Sequence, residues 1–507
     1  MAAFPKKHDF IKPYNSGKAQ VMWTTLVADL ETSVSAYLKL ADNQEHSSLL
    51  ESVEGGAIRG RYTFIGLKPD IIWRCRGNKP EINRKVLRGV REEDFTAIEK
   101  PSLESLRDLL SECLIELPED MPPSAAGLIG YMGYDMVRLM EKLPEAKDDF
   151  LDLPDSMFMR PTIMVVFDSI TDLITIVTPV RPVGDVNADT AYLRGEERLN
   201  DIISALSRPL DIQRQNMAEV KLPDAPVSNT TKKQYADMVA RAQQYITAGD
   251  IFQVVLSQRF SMPFDLPPFS LYRALRRTNP SPFLYYLKFG DFSIVGSSPE
   301  ILVRLRDNEV TIRPIAGTRP RGKTALEDKK NAEDLLADPK ECAEHLMLLD
   351  LGRNDVGRVS KVGTVELTDK MTIEFYSHVM HIVSNVRGEI RDDYDALKAL
   401  AAGFPAGTVS GAPKVRAMEI IDELEHEKRG IYAGAVGYFS ADGSMDTCIV
   451  LRTAIVKDNM MYVQAGAGIV ADSTWQSEYA ECEAKAKALV RAAEEAVNFA
   501  GSDKAGQ

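Results

Sequence analysis

The sequence predicts an α+β protein in which antiparallel β-sheets pack together and are flanked by helices. Three observations carry that prediction. Short apolar runs of strand length fall in clusters. Helical periodicities lie between the clusters without a regular βαβ alternation. Residues 162–167 (TIMVVF) and 173–177 (LITIV) are two such runs joined by a short polar stretch, the signature of a β-hairpin.

From about residue 15 to 200, apolar runs such as 71–73 (IIW) alternate with turns, and 194–206 has helical character. Residues 207–230 turn polar and contain Pro209, Pro223 and Pro226, which mark an exposed connection. Beyond it Tyr235, Met238, Val239, Ala242 and Ile246 follow helical spacing, with Gly249 as the C-cap. Strands are expected at 252–260, 283–289, 292–295, 301–306 and 310–315, then a helix at 341–351. Further strands are expected at 435–439, 447–454 and 461–465, and a long Ala/Glu/Lys helix at 477–497. The chain therefore reads as an N-terminal region 1–206, a linker 207–230 and a second region 231–500.

Composition narrows the function classes. The 507 residues hold 44% hydrophobic and 27% charged residues, an ordinary globular profile. A net charge of −13 argues against nucleic acid as a partner, which calls for a basic surface. The five cysteines are scattered with no CxxC pair, against a disulfide framework or zinc ribbon and in favour of a reducing compartment, the cytoplasm. No apolar run is long enough to span a membrane, and the first residues carry no secretory h-region.

Several segments could carry chemistry. Residues 314–322 (PIAGTRPRG) make a tight, cationic, donor-rich turn suited to an anionic small molecule, yet Ala316 at its centre can do no acid, base or nucleophilic work. Arg319, Arg321 and Arg452 could clamp carboxylates, or could simply be solvated. Glu341 and Glu344, like Glu478 and Glu481, are three apart on a helix, so each pair shares a face. Two facing acidic pairs would make an all-oxygen site that suits Mg²⁺; the same spacing is also commonplace on solvated helices. Residues 464–471 (QAGAGIVA) match a relaxed dinucleotide fingerprint but lack the βαβ surroundings, leaving a backbone N–H nest for a carboxylate or a plain turn. In 376–383 (YSHVMHIV), His378 and His381 would face opposite sides of a strand, one of them buried. Residues 404–414 (FPAGTVSGAPK) form a Gly/Pro loop with hydroxyls but without P-loop spacing.

These pieces, in this order, resemble the chorismate-utilising enzymes from about 232 to 496. The matching motifs are 253–258 (QVVLSQ), 296–300 (GSSPE), 314–322, 344–355 (EHLMLLDLGRND), 380–383 (MHIV), 404–414, 464–468 and 476–481 (QSEYAE). Residues 49–52 (LLES) and 61–66 (RYTFIG) are similar to the N-terminal region of the anthranilate synthase component I group. Members of the family with other reactions carry a lysine base where Gln253 stands, or a lysine nucleophile where Ala316 stands. Two blanks imply direct attack by ammonia on chorismate to give anthranilate and pyruvate. The alternatives are an aminodeoxychorismate synthase large subunit, or a non-catalytic regulator that binds chorismate or tryptophan.

The resemblance also implies roles. Region 231–500 is the chorismate-binding catalytic domain, and 1–206 contributes part of a tryptophan effector site. Glu344 and Glu481 would ligate Mg²⁺, with Glu341 and Glu478 acting through water. Gly317, Thr318, Tyr432, Arg452 and the amides of Gly466, Ala467 and Gly468 would bind chorismate. Glu300 would act as general acid for the C4 hydroxyl, and His381 would assist later steps. Ser52, Pro282, Phe283 and Leu284 would line the effector pocket for tryptophan as feedback inhibitor. No glutaminase nucleophile turn is found, so a separate glutamine amidotransferase subunit (component II) would supply the ammonia.

Overall fold

The computed structural model describes residues 3–41, 44–54, 58–119, 121–210, 225–376 and 379–501. Every strand pairing among them is antiparallel. Two long strands, Ile58–Arg76 and Ser156–Asp168, run beside each other and organise the rest. Their ladder breaks register at Pro69, which faces Pro161, and Lys68 there takes a left-handed φ of 49°. A proline cannot donate to a ladder, so the kink divides each strand into two halves that serve different sheets.

One half leads through His46–Glu54, Phe283–Phe289, Phe292–Ser298, Thr453–Lys457 and Met460–Ile469 to Gln253–Pro263. The other leads through Gly127–Met132, Ala435–Ser440, Met445–Ile449, Ile301–Arg306 and Glu309–Ile312 to Val379–Glu389. The two series meet face to face: Tyr131 of the second, fully buried, packs its ring 5.6 Å from Phe289 and 6.2 Å from Phe292 of the first. Edge-on aromatic pairs of this kind add about 0.5–1.5 kcal/mol beyond area burial. Both series draw strands from before and after residues 207–230, of which 211–224 lie outside the described residues.

The expected elements largely form. The hairpin comprises Ser156–Asp168 and Leu173–Val180. Helix Lys232–Ala248 starts on a Thr231/Gln234 capping box and stops at Gly249, whose φ of 84° terminates it in the left-handed region. Two expected strands are in fact broken. In place of 310–315 the chain makes Glu309–Ile312, bends at Arg313–Pro314 and resumes as Ile315–Pro320. In place of 447–454 it makes Met445–Ile449 and Thr453–Lys457, separated by a bend in which Arg452 has a φ of 46°. Apolar residues crowd both bends, with Ile312 and Ile315 around the first and Val450 and Leu451 within the second, so the density of apolar residues masked the breaks at Arg313–Pro314 and Arg452.

Candidate active site

The C-terminal halves of the two sheet series, with helices Pro339–Val359 and Trp475–Gly501, enclose a cleft that gathers most of the singled-out residues. Strand Ile315–Pro320 pairs with Val379–Glu389, and the register slips between Ala316 and Thr318. Gly317 absorbs that bulge with a φ of 77°. A Cβ there would lie 3.1 Å from Ile382 and 3.2 Å from Glu341 Oε2, so backbone conformation and space both call for glycine. The bulge sets Thr318 opposite His381.

His381 is buried, and its Nδ1 lies 3.0 Å from Thr318 Oγ1 and 3.1 Å from the Gly317 carbonyl oxygen. A carbonyl can only accept, so Nδ1 carries the proton and Nε2 is left as a bare acceptor. Burial pushes the imidazole down to about 4, so it is neutral at physiological pH. The Tyr376 ring stands edge-on to it at 5.3 Å. His378, expected on the opposite face, lies outside the described residues.

Glu300 sits between Phe292–Ser298 and Ile301–Arg306 and is 6% exposed. Burial pushes its carboxyl up to about 8, against the opposing effects of a hydrogen bond from Thr408 and the charge of Arg452. Thr408 Oγ1 donates to Oε2 at 3.1 Å, and the Ile315 amide also donates to the carboxyl. A protonated acid at neutral pH is what departure of a hydroxyl requires. Thr408 belongs to the Gly/Pro loop whose hydroxyls had no assigned role; proximity to Glu300 could not be read from sequence.

Of the three arginines considered as carboxylate clamps, the structure leaves one. Arg319 is ion-paired to Asp334, Asp338 and Glu341, at 2.9, 2.7 and 3.3 Å. Arg321 is held by Asp328 at 2.6 Å. Both serve the fold of the loop. The left-handed turn aims Arg452 into the cleft, where Tyr376 and Glu300 feel its charge, and burial lowers its pKa. Its guanidinium has no hydrogen-bond partner among the described residues, as expected of a group kept for an anion.

The 464–468 segment is neither a turn nor a nest: it belongs to strand Met460–Ile469, paired to Gln253–Pro263. Thr453–Lys457 covers the other edge only as far as Val463. Lys485 Nζ donates to the Gly466 carbonyl at 2.9 Å, so that carbonyl faces the uncovered edge. In an antiparallel strand the N–H points the same way as the C=O of its residue, and the direction repeats every second residue. Gly466 and Gly468 thus direct their N–H groups to that edge, where the Gly466 amide meets the Tyr432 hydroxyl, whereas the Ala467 amide turns into the ladder, a correction to its expected ligand role. Tyr432 is buried, and a Cβ at Gly466 would stand 2.9 Å from its hydroxyl.

Asp338 caps helix Pro339–Val359, accepting from the amides of Lys340 and Glu341, and so fixes the turn that carries Glu341 and Glu344. Glu478 and Glu481 project from the first turns of Trp475–Gly501. Burial raises the Glu344 carboxyl, and the charges of Glu341 and Glu481 raise it further; burial and then Glu481 do the same to Glu478. The four thus repel one another across the gap. Arg319 tempers Glu341, and Lys485 holds Glu481 at 2.7 Å. Among the described residues no three His, Cys, Asp or Glu side chains converge tightly enough to ligate one ion. A hard, all-oxygen set in which Glu344 and Glu478 have no ion pair among the described residues nonetheless suits Mg²⁺, which takes few carboxylates directly and keeps its waters.

Ser52, Phe283 and Leu284 come together elsewhere. Leu284 pairs with Glu51, so Ser52 and Phe283 lie at the end of that ladder beside Pro282. Leu284 is wholly in the core, while Phe283 and Ser52 are half-buried. Sequence reading passed over the neighbouring Glu51, which is buried and bound by Ser33, Tyr272 and Arg276.

The family model for chorismate binding enzymes matches residues 67–491. The anthranilate synthase component 1 of Cereibacter sphaeroides is 55% identical over 97% of this chain and 98% of its own. That of Pseudomonas putida is 48% identical over 92% and 93%. Among solved structures, anthranilate synthase component I from Streptococcus pneumoniae superposes with a TM-score of 0.74 at 36% identity, over 92% of this chain and 98% of that one. The menaquinone-specific isochorismate synthase of Escherichia coli shares the fold alone, with a TM-score of 0.69 at 18% identity over 94% and 95%. With this fold, a buried acid, a neutral histidine and a free arginine in one cleft, the chain belongs to the chorismate binding enzyme family, within its anthranilate synthase component 1 group.

Proposed function

We propose that the protein is the large subunit of an anthranilate synthase, working in the cytoplasm, which converts chorismate and ammonia to anthranilate and pyruvate. The observation that carries this reading is the pairing of a protonated Glu300 with an inert Ala316. The cleft can expel a hydroxyl, yet its loop brings no side-chain nucleophile, so the nucleophile must be a small molecule.

Arg452 and the N–H groups of Gly466 and Gly468 hold chorismate's carboxylates, with Tyr432, Thr318 and the Gly317 backbone fixing the remaining oxygens. Mg²⁺, held by Glu344 and Glu481 with Glu341 and Glu478 behind them, would supply Lewis-acid polarisation and orientation of the ring carboxylate. Ammonia bonds to C2, and the C4 hydroxyl leaves as water with the proton of Glu300. The enolpyruvyl group then departs as pyruvate when the C2 proton is removed, and the ring becomes aromatic. His381, with Nε2 free to accept, assists there. Glu300 is supported in its role by burial and by Thr408, which fixes one of its oxygens.

The ammonia comes from a glutamine amidotransferase subunit, a reading supported by the relatives' designation as component 1. Tryptophan inhibits from the Ser52, Pro282, Phe283 and Leu284 site, a role supported by their adjacency in the fold. Purified protein incubated with chorismate, Mg²⁺ and ammonium should release fluorescent anthranilate and an equal amount of pyruvate. Isochorismate or 4-amino-4-deoxychorismate as the product would overturn the assignment.

A further inference from the structure

Gln253 lies at the start of strand Gln253–Pro263, only 5% exposed, with its main chain clamped by Gly411–Ala412. Its side chain crosses above Gly468, and Nε2 donates to Glu344 Oε1 at 3.2 Å. Gly468 makes that path possible: a Cβ there would stand 2.5 Å from the Gln253 Nε2. The obstructing atom is the free end of a flexible side chain, so a methyl group at 468 would push the amide aside rather than unfold the strand. Glu344 gains a neutral donor in a place where a cation would cancel its charge and another acid would add repulsion. A carboxylate with one oxygen tethered keeps the other oriented.

We propose that Gln253 is a positioning residue for Glu344, and that Gly468 is glycine in part to let it be one. The amide fixes Oε1 from the strand side, so Oε2 is presented to the gap shared with Glu341, Glu478 and Glu481. The glutamine thereby couples the substrate-binding strand edge to the cation-binding helix. This rests on the proposed function, because it takes Glu344 to be a ligand of Mg²⁺.

The test compares wild type, Gln253→Leu and Gly468→Ala as full-length proteins. Thermal stabilisation by Mg²⁺, with and without chorismate, and the Mg²⁺ concentration that half-saturates turnover are measured for each. Both variants should need about tenfold more Mg²⁺ in both readouts, and saturating Mg²⁺ should restore most of the turnover of Gln253→Leu. A merely structural role would lower the melting temperature without Mg²⁺ and would not be rescued by it. Unchanged Mg²⁺ dependence in variants that fold normally overturns the proposal. A wild type that neither needs nor responds to Mg²⁺ removes the cation reading itself, and the proposal with it.

Discussion

Replacing Glu300 with glutamine separates the chemical from the energetic consequences of burying its carboxyl group. In the folded protein that group titrates at about 8, compared with an ordinary 4.5. The folded state therefore holds a proton that the unfolded chain releases. Its contribution to stability is intact below pH ~4.5, falls as pH rises and levels off above about 8. At ~1.4 kcal/mol per pH unit, the full loss comes to about 5 kcal/mol. Glu300→Gln keeps the shape and removes the titration. Its stability relative to wild type, from chemical denaturation at pH 5 to 9, should climb across that range and then flatten. Over the same range wild-type kcat/KM should fall with an apparent pKa near 8, while the variant loses about 10²–10⁴-fold in kcat. A stability difference that stays constant with pH would refute the buried, protonated carboxyl. A fully active variant would refute its role as the acid.

Ala316→Lys would place an amine in the nucleophile's space; the protein should fold but form no anthranilate from ammonium, as product analysis would show. Arg452→Gln removes the one free guanidinium of the cleft and should raise the chorismate KM by 10-fold or more, the weight of about 1.5–3 kcal/mol for a charged hydrogen bond. Glu344→Gln should abolish the response of the melting temperature to Mg²⁺ and cripple turnover. His381 titrates at about 4, so it should contribute no acidic limb to the rate profile between pH 6 and 8.

Much of the fold was legible where periodicity and caps agree, as in helix Lys232–Ala248 with its Thr231 capping box and Gly249 stop. The paired glutamates were legible too, because three-residue spacing fixes a helix face. What sequence hid was direction and competition. Arg319 and Arg321 look like Arg452 in one dimension, yet acids on the following helices occupy them. The glycines of 464–468 suggested a turn, and only the uncovered sheet edge shows that they keep a strand thin. Strand Glu366–Phe375 escaped notice because none of its side chains is fully buried, so it carries no hydrophobic alternation. Thr408 and Gln253 acquire their roles from residues more than ninety positions away.

The kinked pair Ile58–Arg76 and Ser156–Asp168 also bears on how the chain is made. Residues 1–206 are made before the strands that complete them: His46–Glu54 and Gly127–Met132 each have one edge paired within this region, but their other edges find partners in Phe283–Phe289 and Ala435–Ser440. Until those arrive, the nascent N-terminal region presents bare strand edges, the kind of surface that recruits other chains. The topology that shapes the cleft thus sets a window of aggregation risk during synthesis, which closes only when the last third of the chain has emerged.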